Sequence, residues 1–133
     1  MPVKDKSFDV VLCIEVLEHL NKEEGINLMR AMEKVARKQV ILTTPVNRYE
    51  QHAYDNNPYQ EHRYVWSVDE IERLGYNVKG AGLKGIPGES GLAHKMPSFL
   101  KPILHALWII ADIFTYNRPE QAGHMVCIKN LNR

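Results

Sequence analysis

The 133-residue sequence predicts an α/β protein built around a parallel sheet. Two apolar runs, Phe8–Ile14 and residues 39–44, are continuous rather than alternating, which is typical of strands buried on both faces. Between them, apolar residues recur at helical spacing up to Arg37, after Asn21 and Glu24 at the spacing of a capping box. A strand, a helix and a second strand without a hairpin turn indicate a βαβ unit, whose crossover is nearly always right-handed.

The remaining elements follow a polar, irregular stretch at residues 46–65. Ser67 and Glu70 predict a second capped helix, which a glycine at position 75 ends. The pattern then predicts a strand at residues 76–83, a helix at residues 102–116 and a strand at residues 123–129. We interpret residues 1–133 as a single partial domain, in which residues 84–121 form an insertion or cap between the last two strands.

Composition and charge indicate which partners and which cellular location to expect. The net charge of +1 gives no electrostatic reason to expect nucleic acid as a partner. The two cysteines, Cys13 and Cys127, lie in apolar runs without a disulfide framework, which favours a reducing, cytoplasmic location. The longest apolar segment, residues 99–116, is interrupted by Lys101 and Asp112 among others, so we expect no membrane span.

Several motifs carry a resemblance to a known family. Residues 8–20 (FDVVLCIEVLEHL) resemble the fourth strand and following turn of class I S-adenosylmethionine-dependent methyltransferases, and residues 38–45 resemble their fifth strand. Residues 62–76 resemble the segment before the sixth strand, and residues 123–129 suit the seventh. The resemblance implies a three-layer, Rossmann-like methyltransferase fold represented by strands 4 to 7. In that fold the strand order is 3-2-1-4-5-7-6.

The sequence departs from the family at the cofactor site. It contains no G-x-G-x-G turn, which in the family lets the backbone approach S-adenosylmethionine. We therefore expect the chain to begin within the domain and to represent its substrate-side half. Alone it is expected to bind S-adenosylmethionine weakly and to be inactive. In the complete enzyme, the resemblance places Cys13 and Ile14 beside the cofactor, at the carboxyl end of their strand.

Glu15, Glu18 and His19 are the candidate catalytic residues. If the chain enters a helix directly after the first strand, these positions share one helix face. Two carboxylates and an imidazole can hold a divalent cation such as Mg²⁺. The E-x-x-E-H string resembles the metal motif of small-RNA 2′-O-methyltransferases and the corresponding motif of ubiquinone-pathway O-methyltransferases, and His62 matches a further histidine of the RNA enzymes. Alternatively, the three residues line the pocket or cap the next helix.

The turn after the first strand bears on which kind of atom is methylated. Amino-methyltransferases of nucleic-acid bases usually carry N/D-P-P-Y/F there, whereas residues 13–16 read Cys-Ile-Glu-Val. We therefore expect O-methylation of a small-molecule acceptor. Two alternatives stay open: a non-catalytic dimerisation or scaffold module derived from a methyltransferase, and a Glu/Glu/His metal-binding protein without methyl transfer.

Unpaired apolar surface predicts a partner. The run at Phe8–Ile14 would be an open, apolar strand edge, and the helix at residues 102–116 is apolar around most of its circumference. We expect a homodimer through one of these surfaces. An acceptor-binding cap or a membrane-surface contact would also cover the helix. Trp66 is expected in the core, and His124 shows no spacing typical of a ligand.

Overall fold

Four strands and three helices make up the described parts of the chain, which are residues 3–46, 57–83 and 95–131 of the computed structural model. The strands are β1 (Phe8–Ile14), β2 (Ala36–Pro45), β3 (Asn77–Ala81) and β4 (His124–Asn130). The helices are α1 (Lys22–Val35), α2 (Val68–Arg73) and α3 (Lys101–Thr115). Short 3₁₀ turns occur at Leu17–His19, Pro58–Gln60, Ser98–Leu100 and Pro119–Gln121.

The four strands form one sheet in the order β1-β2-β4-β3. β1 and β2 are parallel, whereas β4 runs antiparallel to both β2 and β3. The α/β class is therefore confirmed, and the strand order is the one expected for strands 4, 5, 7 and 6 of the partial methyltransferase fold. In the described parts of the chain, β1 has a neighbouring strand on one side only.

The two predicted capping boxes are confirmed by reciprocal hydrogen bonds at the starts of α1 and α2. The Asn21 side chain accepts from the Glu24 amide while the Glu24 carboxylate accepts from the Asn21 amide, and the second cap repeats this pattern. α1 is shorter than predicted and ends at Val35, because the backbone becomes extended at Ala36 and pairs there with β1. β2 consequently begins three residues before the predicted strand. Gly75 ends α2 with a φ of 89°, as expected of a C-terminal glycine.

α1 and α2 cover one face of the sheet. Their buried side chains pack against alternate strand residues, among them Cys13, Leu42 and Cys127, because successive residues of a strand point to opposite faces. Trp66 joins this core, as predicted, with 1% of its surface exposed. On the opposite face, Leu12 is 58% exposed, so the described residues leave that end of the sheet open to solvent.

The C-terminal end of α3 is hydrogen-bonded to the outer edge of β3. The Gly80 amide donates to the Tyr116 carbonyl, and the Gly82 amide donates to the Asp112 carboxylate. A Cβ atom on Gly80 would collide with the Thr115 backbone, so a glycine is needed for this close approach. None of the described helices has the length and apolar character required to cross a bilayer. The single-domain interpretation and the cap stay predictions, and residues 84–94 of that cap lie outside the described residues.

Candidate active site

Polar side chains gather where β1 and β2 end and β4 begins. Glu15 follows β1 directly, and Thr43 and Thr44 lie near the end of β2. Because β4 is antiparallel, its first residue, His124, pairs with Pro45 at the end of β2. The carboxyl ends of parallel strands are where open α/β sheets bind their ligands. This edge is therefore the candidate active site.

The turn after β1 differs from the expected helix. Glu15 has a φ of 50°, in the left-handed region, and a 3₁₀ turn follows only at Leu17–His19. The Glu15 amide is held by Thr43, with 3.2 Å to both the carbonyl oxygen and Oγ1. The helical spacing that was expected to bring Glu15, Glu18 and His19 to one face therefore does not apply. Glu18 and His19 lie together on the 3₁₀ turn, and Glu15 is set apart from them by its backbone conformation.

Glu18 is the buried carboxylate of this site, with 3% of its surface exposed. Its Oε2 accepts a hydrogen bond from Thr44 Oγ1 at 3.0 Å, which keeps the carboxylate directed at the sheet edge. Burial raises the pKa of Glu18 above its ordinary value, and the nearby charge of Glu15 acts in the same direction. Its backbone carbonyl accepts from the amides of Arg63 and Tyr64 at 2.8 and 3.2 Å. These bonds hold residues 62–64 against the turn.

His19 is oriented by a backbone carbonyl. Its Nδ1 lies 3.1 Å from the carbonyl oxygen of Glu61, which can only accept, so Nδ1 carries a proton. In the neutral ring, Nε2 is then the acceptor nitrogen, and it lies 3.8 Å from Glu18 Oε1. The His62 ring meets the His19 ring edge-on, with 5.1 Å between the centroids. One ligand atom each from Glu18, His19 and His62 lies within 4.8 Å of the others.

Glu15 has a different partner from the one predicted. Its Oε2 lies 3.4 Å from Nε2 of His124. Burial by itself would raise the pKa of Glu15, but hydrogen bonds with His124 and Thr43 outweigh it and lower the pKa. The charge of His62 adds to this lowering. Of the four predicted metal ligands, three converge, and Glu15 is outside their group.

His124 is the site residue that sequence reasoning missed. No spacing along the chain connects it to Glu15, which is more than 100 positions away. The signal was available in the strand order, since the seventh strand lies beside the fifth and runs in the opposite direction. Its start therefore meets the end of the fifth strand.

The two candidate cofactor residues lie on opposite faces of the sheet. The Cys13 side chain packs in the core, where burial raises the pKa of its thiol. Ile14 is 58% exposed at the carboxyl end of β1. Neither β1 nor β2 is followed by a glycine-rich turn. The described residues therefore do not by themselves form a cradle for S-adenosylmethionine.

The N-terminal part of the chain matches a known family. Residues 1–44 match the family described as a methyltransferase domain. Over 42 residues, or 32% of the chain, the sequence is 43% identical to an uncharacterized protein of Methanocaldococcus jannaschii, and the match covers 19% of that protein. The fold is similar to the crystal structure of a SAM-dependent methyltransferase from Archaeoglobus fulgidus, with a TM-score of 0.48 and 15% identity over 96% of this chain and 61% of that one.

The chain thus spans less than two thirds of the length of either protein. The matched residues 1–44 include β1, α1 and most of β2, and with them Glu15, Glu18 and His19. His62 and His124 lie beyond the matched segment, where the tertiary structure brings them to the same edge of the sheet. Residues 1–44 therefore resemble a methyltransferase domain, and the order of the four described strands agrees with the one expected from that resemblance.

Proposed function

We propose that the chain carries the acceptor side of an S-adenosylmethionine-dependent methyltransferase that O-methylates a small molecule. One observation carries this proposal: Glu18, His19 and His62 converge at the carboxyl edge of a methyltransferase-like sheet. A hydroxyl oxygen must lose its proton to become a good acceptor for a methyl group, and a positioned imidazole or carboxylate accelerates such a transfer. This cluster supplies both groups at the edge where ligands of open sheets bind.

His19 and Glu18 have complementary roles in this proposal. Nε2 of His19 is the atom that accepts the hydroxyl proton, since Nδ1 is already bonded to the Glu61 carbonyl. The Glu18 carboxylate, 3.8 Å away, stabilises the imidazolium that forms. Glu15 orients His124 at the neighbouring position of the edge, where the pair can hydrogen-bond a second polar group of the acceptor. Thr44 keeps the Glu18 carboxylate in place.

A divalent cation suits the same three residues. Two imidazoles and one carboxylate favour Mn²⁺, Fe²⁺ or Zn²⁺ over the Mg²⁺ expected from the sequence, because Mg²⁺ prefers oxygen ligands. The bond from His19 Nδ1 to a carbonyl is the arrangement that orients a metal-binding histidine. A cation held there would replace His19 as the activating group, because Nε2 would then be a ligand; it would bind the acceptor oxygen and lower the pKa of its hydroxyl. Metal binding without methyl transfer is the second candidate function, and the same geometry favours it.

We expect the 133-residue chain to bind Mn²⁺ at one site, more tightly than Mg²⁺, and His62→Ala to weaken this binding. Removal of a residue that only hydrogen-bonds to a metal ligand lowers metal affinity by about 10- to 100-fold. Removal of the ligand itself should therefore lower it by about 100-fold or more. Isothermal titration calorimetry measures both affinities. His124→Ala is the matched control, because His124 is outside the group of three. Equal Mn²⁺ affinity of the wild type and His62→Ala would exclude the metal role.

The nature of the methylated atom tests the methyltransferase proposal. The protein is purified from its native cells and incubated with S-adenosylmethionine carrying a labelled methyl group and with phenols, catechols and amines. We expect the label on oxygen and not on nitrogen. Turnover that persists with a chelator assigns proton removal to His19, whereas turnover lost with a chelator assigns activation of the hydroxyl to a bound cation. Methylation of amines alone would contradict O-methylation, and a complete absence of labelled product would contradict methyl transfer.

The homodimer and the cytoplasmic location stay predictions. For the dimer, support comes from the free side of β1 within the described residues, since an open apolar strand edge favours pairing with another chain. The small-molecule acceptor also stays a prediction. It is supported by the turn at residues 13–16 and by the polar cluster at the sheet edge.

A further inference from the structure

α3 exposes an apolar face that the fold does not cover within the described residues. Each side chain of this face is more than half exposed, although all are large and hydrophobic: Ile103, Leu107, Ile109, Ile110, Ile113 and Phe114. At 100° per residue these positions span an arc of about 160°. The residues between them on this arc, Pro102 and Ala106, are apolar as well. A water-facing helix normally carries polar side chains there, so this apolar face indicates contact with an apolar medium.

The charged groups of this segment lie away from the apolar face. Lys101 and Asp112 fall on the opposite side of α3, and Asp112 accepts a hydrogen bond from the Gly82 amide of β3. Lys95 and Lys101 precede or begin the helix, and Arg118 follows it; all three are exposed. Between residues 95 and 118, Asp112 is the one acidic residue. Two lysines therefore lie at the start of the apolar face, and Arg118 follows its end, with the exposed Glu120 two residues further on.

Aromatic side chains mark the two ends of the same face. Phe99 is 77% exposed just before α3, and Tyr116 is 52% exposed just after it. Tyrosine is enriched where a bilayer meets water, because its ring is apolar and its hydroxyl is polar. Basic residues at the boundary between bilayer and water are attracted to anionic lipid headgroups. Basic residues and Phe99 thus precede the apolar face, and Tyr116 and Arg118 follow it. This order fits a helix that lies on a bilayer surface.

We propose that α3 is a peripheral anchor that lies in the plane of an anionic lipid bilayer, with its apolar face at the boundary of headgroups and acyl chains. The charges favour lipid over a second copy of the chain. An antiparallel pair of α3 helices would bring Lys95 and Lys101 of one copy against Arg118 of the other. Glu120 is the one exposed acidic residue beside these positions among the described residues, so positive charge stays in excess at each end. An anionic bilayer attracts Lys95, Lys101 and Arg118 at once. The anchor does not depend on methyl transfer.

Vesicle flotation with the 133-residue chain tests the anchor. We expect the chain to float with vesicles that contain phosphatidylglycerol and to bind pure phosphatidylcholine vesicles much more weakly. The double variant Lys95→Gln/Lys101→Gln should lower binding to anionic vesicles by about fivefold for each lysine removed. The double variant Ile110→Glu/Phe114→Glu should lower it by about 100-fold or more, since two large side chains no longer enter the apolar layer.

Tyr59→Glu is the matched control, because Tyr59 is a 78% exposed aromatic residue outside α3. It should float like the wild type, and circular dichroism should show the same helix content in all variants. The anchor is wrong if the wild type does not float with anionic vesicles, or if it floats equally well after both double substitutions. It is also wrong if the wild type stays in solution as an oligomer that Ile110→Glu/Phe114→Glu dissociates, since α3 is then a protein interface.

Discussion

Substitution of Glu18 by glutamine is expected to lower kcat for methyl transfer by about 100-fold, with a much smaller change in KM. Glutamine keeps the volume of the side chain and can still accept the hydrogen bond from Thr44, so the packing of this 3% exposed residue is preserved. What it loses is the negative charge 3.8 Å from Nε2 of His19. That charge matters after the imidazole has taken the acceptor proton, which is a step reflected in kcat.

Steady-state kinetics of the protein from its native cells, with each substitution made in the chromosome, measures this effect. Glu23→Gln is the matched control, because it removes a carboxylate of the same kind from the exposed first turn of α1. We expect its kcat to equal that of the wild type. A Glu18→Gln enzyme with wild-type kcat would contradict the proposed role of Glu18, and a rise in KM alone would assign Glu18 to acceptor binding.

Replacement of Trp66 by alanine is expected to reduce the free energy of unfolding by about 3–5 kcal/mol, the range for a buried aromatic residue. The Trp66 ring is 1% exposed and meets the Tyr64 ring edge-on at 4.9 Å between centroids. Its Nε1 donates to the Leu17 carbonyl at 3.3 Å. A Cβ atom on Gly25 would lie 2.6 Å from the Trp66 ring, so the ring packs directly on the backbone of α1. Trp66 therefore joins α1, the 3₁₀ turn of the site and residues 62–66.

Urea unfolding followed by far-ultraviolet circular dichroism measures this loss without relying on tryptophan fluorescence. Trp66→Phe should cost less, about 1–2 kcal/mol, because the ring contacts are partly kept and one hydrogen bond is lost. Tyr59→Ala, at a 78% exposed position, should stay within about 0.5 kcal/mol of the wild type. A loss below about 1 kcal/mol for Trp66→Ala would show that residues 62–66 are not held to the core by this ring.

Most elements of the fold could be predicted because their signals are local. The capping boxes at Asn21 and Ser67 lie within four residues of sequence, and both form as expected. The boundary between α1 and β2 could not be placed, because Ala36 is compatible with helix and strand alike. Its pairing with Phe8 decides the matter, and that contact joins residues 28 positions apart.

The candidate site was predicted in part. Glu18, His19 and His62 were expected together and lie together. Glu15 was expected with them on the assumption of a continuous helix, but its positive φ turns the chain before the 3₁₀ turn. His124 comes to Glu15 through the antiparallel insertion of β4 between β2 and β3. Both differences concern contacts between distant segments.

The strands, the helices and their capped starts can be recognised from residue type and spacing alone. Each of these signals involves residues within about one or two helical turns of one another. The likeness of residues 1–44 to methyltransferases is of the same local kind. Only the tertiary structure decides which carboxylate faces which imidazole. That choice depends on strand register and on one backbone dihedral at Glu15, and both are set by the hydrogen bonds of Thr43 and by β4, far away in the sequence.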